Sequence, residues 1–208
     1  ECKNEAKTLS EIRKEGAKVL EKRIQNELAQ LDMPKVRFQV EFGTIDSETG
    51  LNEDGMDQIR FLMSANVGED LKPIQKIASG GELARIMLCL KNVLAEGDGV
   101  DTLVFDEVDT GGSGRAAQKV AQKLCQVAQG KQVLCVTHLP QIAAMADVHF
   151  CVEKGEKDGR TYTNVEDLSR ERRQAELARL PSGERITDAA LASAEELLTA
   201  AEAYKKTL

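Results

Sequence analysis

Residues 77–87, IASGGELARIM, followed by residues 102–111, TLVFDEVDTG, decide how the rest of this sequence is read. The first stretch places Ser-Gly-Gly at the mouth of a segment whose apolar residues recur with helical spacing. The second ends a short apolar run in two adjacent carboxylates. Ser79 and Glu82 fit a capping box, in which the serine accepts from the N–H three residues on and the glutamate reaches back. Gly80 and Gly81 add another possibility. Without a Cβ the backbone there lets a phosphate approach closely, and a helix start offers free N–H groups and partial positive charge.

Asp106 and Glu107 follow Leu103-Val104-Phe105. Carboxylates at the end of a buried strand are costly unless they are solvated, paired or ligating. Two solvated loop acids would satisfy that requirement. So would a nucleoside triphosphate site, in which the first acid holds Mg²⁺ through its water shell and the second polarises the attacking water. Successive strand residues point to opposite faces, so the pair could aim one carboxylate at the metal and the other at the nucleophile. His138 follows a second apolar run, VLCVT, and precedes Pro140. It reads either as a satisfied cap residue or, at the carboxyl edge of a parallel sheet, as a ligand contact. His149 falls within an expected strand and is given no role.

A phosphate-cradling loop is missing. Residues 155–161, GEKDGRT, have the wrong spacing for G-x-x-x-x-G-K-[ST] and Arg where Lys is needed. Residues 111–114, GGSG, would need glycine at 115 for a nucleophile elbow, and Arg115 stands there. The chain therefore reads as one part of a site, and should not hold nucleotide well unaided.

Around these motifs the pattern is that of an α/β protein. Residues 1–31 alternate Lys/Arg with Glu around Leu9, Ile12, Val19, Leu20, Ile24, Leu28 and Leu31, a helical spacing that slips near Arg23. An amphipathic helix on its own domain and the end of an antiparallel coiled coil both fit. Met33-Pro34 is expected to stop it. Val36, Phe38, Val40 and Phe42 alternate with polar residues as a half-buried strand, and a second strand is expected over residues 58–64. Then come a helix (81–95), a strand (102–105), a helix (114–128) and a strand (132–137). A short helix begins at Leu139, a hairpin follows over 148–152 and 160–165, and two helices (169–180 and 187–204) close the chain. Alternation of this kind predicts a largely parallel sheet.

Composition narrows the function. The 208 residues carry a formal net charge of -7 and no Trp, which argues against a broad basic surface or base-stacking platform that grips nucleic acid by itself. Five cysteines with no C-x-x-C spacing give neither a disulfide framework nor a zinc site, and fit a reducing cytoplasm. No stretch has transmembrane length and no signal peptide is visible. The chain opens within a helical pattern and without Met, and reads as an excised piece of a longer protein.

The segments KIASGGELARIMLCLKNVL, TLVFDEVDTGGSGRAAQKVAQKL, QVLCVTHLPQIAAMAD and ERITDAALASAEELL resemble the C-terminal part of the RecN family of bacterial DNA repair proteins. That family is related to the structural-maintenance-of-chromosomes (SMC) proteins and, through them, to ATP-binding-cassette (ABC) ATPases. The resemblance spans nearly the whole chain and is strongest over residues 76–147. It implies the C-terminal lobe of a split ABC/SMC-type P-loop NTPase head (32–208), with residues 1–31 as the end of a returning coiled-coil helix. The Walker A lobe would belong to the N-terminal part of the protein.

By the same resemblance, Ser79, Gly80, Gly81 and Glu82 form the signature motif that touches ATP held by a second head. Asp106 is the Walker B acid on the Mg²⁺ side and Glu107 the general base. Asp109 lies in the D-loop that communicates across the dimer, and His138 is the switch histidine of the H-loop. Expected partners are the P-loop lobe of the same protein, a second head in a homodimer, and DNA through the complete protein, in the cytoplasm near the nucleoid and away from membranes. The implied activity is ATP-driven head dimerisation and hydrolysis in recombinational repair of double-strand breaks. Gly112 and Pro181-Ser182 depart from the family pattern. A chromosome-organising SMC head, a transporter ATPase subunit and a non-catalytic dimerisation module are the competing readings. THLPQIAAMAD disfavours the first and the lead-in helix the second, while Asp106, Glu107 and His138 speak against the third.

Overall fold

A computed structural model describes residues 1–64, 68–76, 80–94, 99–109, 114–157, 160–183 and 185–208. The chain forms two compact units, Glu1–Gly99 and Val100–Leu208.

The first unit begins with α1 (Cys2–Gln30), a single helix of Glu, Lys, Ala and Leu residues that favour helix. It ends before the expected Met33-Pro34 stop. Asp32 adopts a left-handed φ of 59°, Met33 N–H donates to Leu28 O at 2.9 Å, and Asp32 N–H donates to Ala29 O at 3.3 Å. This is a Schellman closure with Asp in the position usually held by glycine. The register slip near Arg23 also has a structural cause. Below it, Ile24, Leu28 and Leu31 are buried; above it, only the small side chains of Ala6, Ser10 and Ala17 are. Ile12 (64 % exposed) and Val19 (61 %) face outward, seven residues apart.

Strands β1 (Arg37–Thr44) and β2 (Asp57–Ser64) pair antiparallel, with Phe38 opposite Met63 and Val40 opposite Phe61. Helix α1 is tied to this sheet by polar contacts. Glu21 Oε1 accepts from Val40 N–H and Gln25 Nε2 donates to Val36 O, both at 2.7 Å. Ser10 donates to Asp57 at 2.7 Å, and Arg13 approaches the other oxygen of that carboxylate. A short β3 (Lys72–Pro73) extends the sheet beside β2. Helix α2 (Gly80–Leu94) buries Ile86, Leu88, Cys89, Leu90 and Val93, and its Asn92 donates to Glu27 of α1 at 2.8 Å.

The second unit opens with β4 (Thr102–Phe105), crosses through α3 (Arg115–Val127), and returns in β5 (Gln132–Cys135) parallel to β4. Helix α3 buries Ala117, Val120, Ala121, Leu124 and Cys125, the stripe its 3.6-residue period dictates. The short α4 (Pro140–Ala144) has proline at its first position, where the missing N–H costs nothing. A hairpin of β6 (Phe150–Lys157) and β7 (Arg160–Asp167) follows. Gly155 lies opposite Tyr162, and a Cβ there would sit 2.5 Å from the ring. Helices α5 (Arg170–Ser182) and α6 (Asp188–Lys205) are capped by Ser169 and Thr187. They pack antiparallel: Arg170 forks onto Glu195 at 2.9 and 3.1 Å, and Gln174 donates to Leu191 O at 3.0 Å. Pro181 lies inside the last turn of α5, and Gly183, at φ 68°, ends it.

The expectation of a largely parallel sheet is not met among the described residues. Only β4 and β5 run parallel; β1–β2–β3 and β6–β7 are antiparallel. Parallel pairing needs a long crossover, and within the described elements only α3 supplies one that joins paired strands.

Candidate functional site

At the carboxyl edge of the β4–β5 pair, Phe105 is buried and its carbonyl accepts from Val136 N–H at 2.9 Å, extending the parallel ladder by one rung. The chain then leaves the sheet. Asp106 and Glu107 are exposed, whereas Val108 is fully buried and Asp109 is 4 % exposed. Glu107 sits at φ 57°, a left-handed conformation that costs a non-glycine residue about 1–2 kcal/mol. Asp106 Oδ1 accepts the Glu107 N–H at 2.9 Å and supports this turn. The two acids thus sit on a backbone turn at Glu107 and outside the pleat of β4, which has already ended at Phe105.

Asp109 points inward. Its Oδ2 accepts from Thr137 Oγ1 at 2.5 Å and from His138 N–H at 3.0 Å, and lies 3.2 Å from His138 Nδ1. Thr137 Oγ1 in turn accepts from Leu139 N–H at 3.0 Å, leading the chain into α4. Two hydrogen bonds to one oxygen, with the imidazole edge close by, satisfy a carboxylate that burial would otherwise penalise. The His138 ring remains 74 % exposed, held at its Nδ1 edge with Nε2 on the far side. The thiol of Cys135, at the end of β5, is pushed up to about 12, first by burial and then by Asp109 and Asp106. It is not a nucleophile at neutral pH.

Asp106, Glu107, Asp109 and His138 thus meet at one strand edge. Gly80, Gly81 and Glu82 form the first turn of α2, in the other unit, with Gly81 buried and Glu82 half-buried. Ser79 lies outside the described residues, as do 110–113 and with them the departure at Gly112. Sequence reasoning missed Thr137. Its signal was a hydroxyl two residues before Leu139 and three before a helix-starting proline, a local side-chain cap.

Among the described residues no group of three His, Cys, Asp or Glu is placed to hold a metal ion. A Mg²⁺ held by one carboxylate, phosphate oxygens and water needs no such group, and Asp106, an exposed hard oxygen donor, fits that role. Its chemistry would be to neutralise charge on the phosphates.

Among the described residues of the second unit, one face of the β4–β5 pair is exposed. Leu103 and Phe105 are buried on one side, while Val104 (67 % exposed), Leu134 (47 %) and Val136 (63 %) line the other. No described helix is long and apolar enough to cross a membrane.

Comparison with solved structures gives the fold its class. The Smc head domain with a coiled coil and joint from Pyrococcus yayanosii matches 84 % of this chain and 30 % of that one, at 20 % identity and TM-score 0.59. A chain reported with ATP-driven dimerization and DNA-stimulated activation of SMC ATPases matches 84 % of this chain and 99 % of that one, at 18 % identity and TM-score 0.50. The fold is that of a lobe of an SMC-type ATPase head.

No protein-family model matches the chain. Sequence relatives carry the assignment further. DNA repair protein RecN of Bacillus subtilis is 45 % identical over 98 % of this chain and 37 % of its own length. The RecN proteins of Halalkalibacterium halodurans (44 %, 97 % of this chain, 36 % of that protein) and Vibrio cholerae (42 %, 94 % and 35 %) agree. The chain is homologous to the RecN proteins and belongs with them over the part it spans, a little more than a third of their length.

Proposed function

We propose that this chain is the C-terminal ATPase-head lobe of a RecN-like protein acting in recombinational repair of DNA double-strand breaks. In this reading Glu107 is the general base and His138 the switch histidine, while Asp106 holds Mg²⁺. Ser79, Gly80, Gly81 and Glu82 contact ATP bound to a second head, and Asp109 belongs to the loop that couples the heads. The Walker A cradle comes from the N-terminal lobe of the same protein. ATP joins two heads in a homodimer, hydrolysis releases them, and the complete protein engages DNA in the cytoplasm, near the nucleoid.

The observation that carries this reading is the gathering of Asp106, Glu107 and His138 at the carboxyl edge of a parallel strand pair. Ligands of α/β proteins bind outside such an edge. A left-handed glutamate beside an aspartate supports a functional site, because strain of this kind persists where function needs it. Two uncovered apolar surfaces fit the missing partners. Val104, Leu134 and Val136 suit a docked P-loop lobe, since burying each would stabilise the complex by about 1.5–3 kcal/mol. Ile12 and Val19, one heptad apart on α1, suit a second helix of a coiled coil.

The test is Glu107→Gln in the head completed with its P-loop lobe. It should abolish turnover and accumulate ATP-bound dimers, read by sedimentation with and without ATP. Unchanged turnover would favour a lobe that only dimerises.

A further inference from the structure

The buried carboxylate of Asp109 faces the protein interior and the strand next door, an orientation unsuited to direct contact with a nucleotide. Its Oδ2 receives the Thr137 hydroxyl, the His138 backbone N–H and the His138 Nδ1 edge, at 2.5, 3.0 and 3.2 Å. The two backbone segments so joined are the exits of β4 and β5. The same residue leads directly into the 110–113 segment, and the same imidazole is exposed over most of its surface.

We propose that Asp109 is a positioning residue that fixes the His138 ring and its tautomer, so that Nε2 faces the γ-phosphate of bound ATP. The inference rests on the ATPase reading above and adds a role for Asp109 within one head, beside any role across the dimer.

The chemistry follows from the contacts. A carboxylate has no proton to give, so the nitrogen facing it must be the one that carries N–H. A proton on Nδ1, the nitrogen 3.2 Å from Oδ2, leaves Nε2 as the acceptor in the neutral ring, and as a second donor in the protonated ring. The His138 backbone N–H bonds the same oxygen, fixing the ring's base as well as its edge. Thr137 completes the arrangement by donating to Asp109 and accepting from Leu139 N–H, which seats the start of α4.

The ring state is read directly by nitrogen NMR of His138 in the chain itself, at alkaline pH where imidazole is neutral. Nδ1–H is expected. Asp109→Asn keeps an acceptor for Thr137 and for the His138 N–H, but its amide can also donate, and it should shift the ring toward Nε2–H. In the head completed with its P-loop lobe, Asp109→Asn should lower kcat by about 10²-fold or more, toward the roughly 10⁴-fold seen when a carboxylate that sets a histidine tautomer becomes an amide. KM for ATP should hold within about twofold, the pattern of an interaction made only in the transition state. In a His138→Ala background Asp109→Asn should cost nothing further, because its effect runs through the ring. Nε2–H in the unaltered chain, or an Asp109→Asn loss as large in the His138→Ala background as in the unaltered head, would overturn the proposal. If His138→Ala abolishes turnover and Asp109→Asn does not reduce it, positioning fails and the ATPase reading stands. If Glu107→Gln and His138→Ala both leave turnover intact, the ATPase reading itself fails, whatever the tautomer.

Discussion

Asp106 Oδ1 accepts the backbone N–H of Glu107 at 2.9 Å, and Glu107 holds a left-handed φ of 57° under that bond. The relationship joins the proposed metal-side acid to the proposed base through one backbone turn. A left-handed non-glycine residue is strained by its Cβ, and glycine is not.

The strain is measurable by comparing Glu107→Gly with Glu107→Ala. Both remove the carboxylate and should abolish turnover in the completed head. The glycine variant should be the more stable of the two by about 1 kcal/mol, read by urea denaturation. Equal stability would mean that the left-handed turn stores nothing.

Helix α1 presents two chemically similar stripes with opposite expected sensitivities. Leu28 is fully buried, and Leu28→Ala should cost about 2–5 kcal/mol of stability. Ile12 and Val19 are more than 60 % exposed, and the double change to Asp should leave the melting temperature of this chain nearly unchanged. In a complete protein the same change should weaken pairing with the opposing helix. A large drop in stability of the chain alone would contradict the outward placement.

Glu21 reaches from α1 to accept the Val40 N–H at 2.7 Å, fastening the helix to β1. Glu21→Ala leaves that donor to water or unpaired, and should cost on the order of 1 kcal/mol in a denaturant titration. Glu21→Gln keeps an acceptor and should cost less.

Acid should act through His149. Burial, then Arg173, holds its imidazole below the ordinary value of 6.5, with Glu176 pulling weakly the other way. Its Nδ1 is buried without a hydrogen-bond partner among the described residues. The folded state therefore prefers the neutral ring, and the unfolded chain binds the proton more readily. This contribution is intact above 6.5 and is lost as pH falls below it. The urea midpoint should drop between pH 7.5 and 5.5, and His149→Leu should make the drop shallower. Glu176, held below its ordinary range by Arg179, also loses its bond in acid, but it does so in both proteins and cancels in the comparison. An identical drop in both would remove His149 from the account.

How far the sequence could be read depended on whether a feature is local. The strand over 102–105 emerges with the bounds its apolar run predicts, and α3 within a residue at each end, because period and flanking glycines are local signals. Asp106, Glu107 and His138 were legible as residue types at strand ends, and they do meet at one edge. The inward turn of Asp109 was not legible, since its partners stand 28 and 29 residues away on the neighbouring strand exit. Nor was the left-handed Glu107, because nothing in D-E-V-D marks which residue must turn. The division into separate sheets escaped for a related reason: alternating strands and helices look parallel until each connection is known to cross over or fold back. Helix α1 concealed its two faces because the small residues Ala6, Ser10 and Ala17, rather than the large ones, are the buried ones in its first half.

ATP turnover by the 208-residue chain, alone and mixed with a P-loop lobe, tests the central claim most directly. We predict none from the chain by itself, hydrolysis on addition of the lobe, and loss of that hydrolysis with Glu107→Gln while ATP stays bound. Robust hydrolysis by the chain alone, or turnover in the mixture that Glu107→Gln leaves untouched, would contradict it.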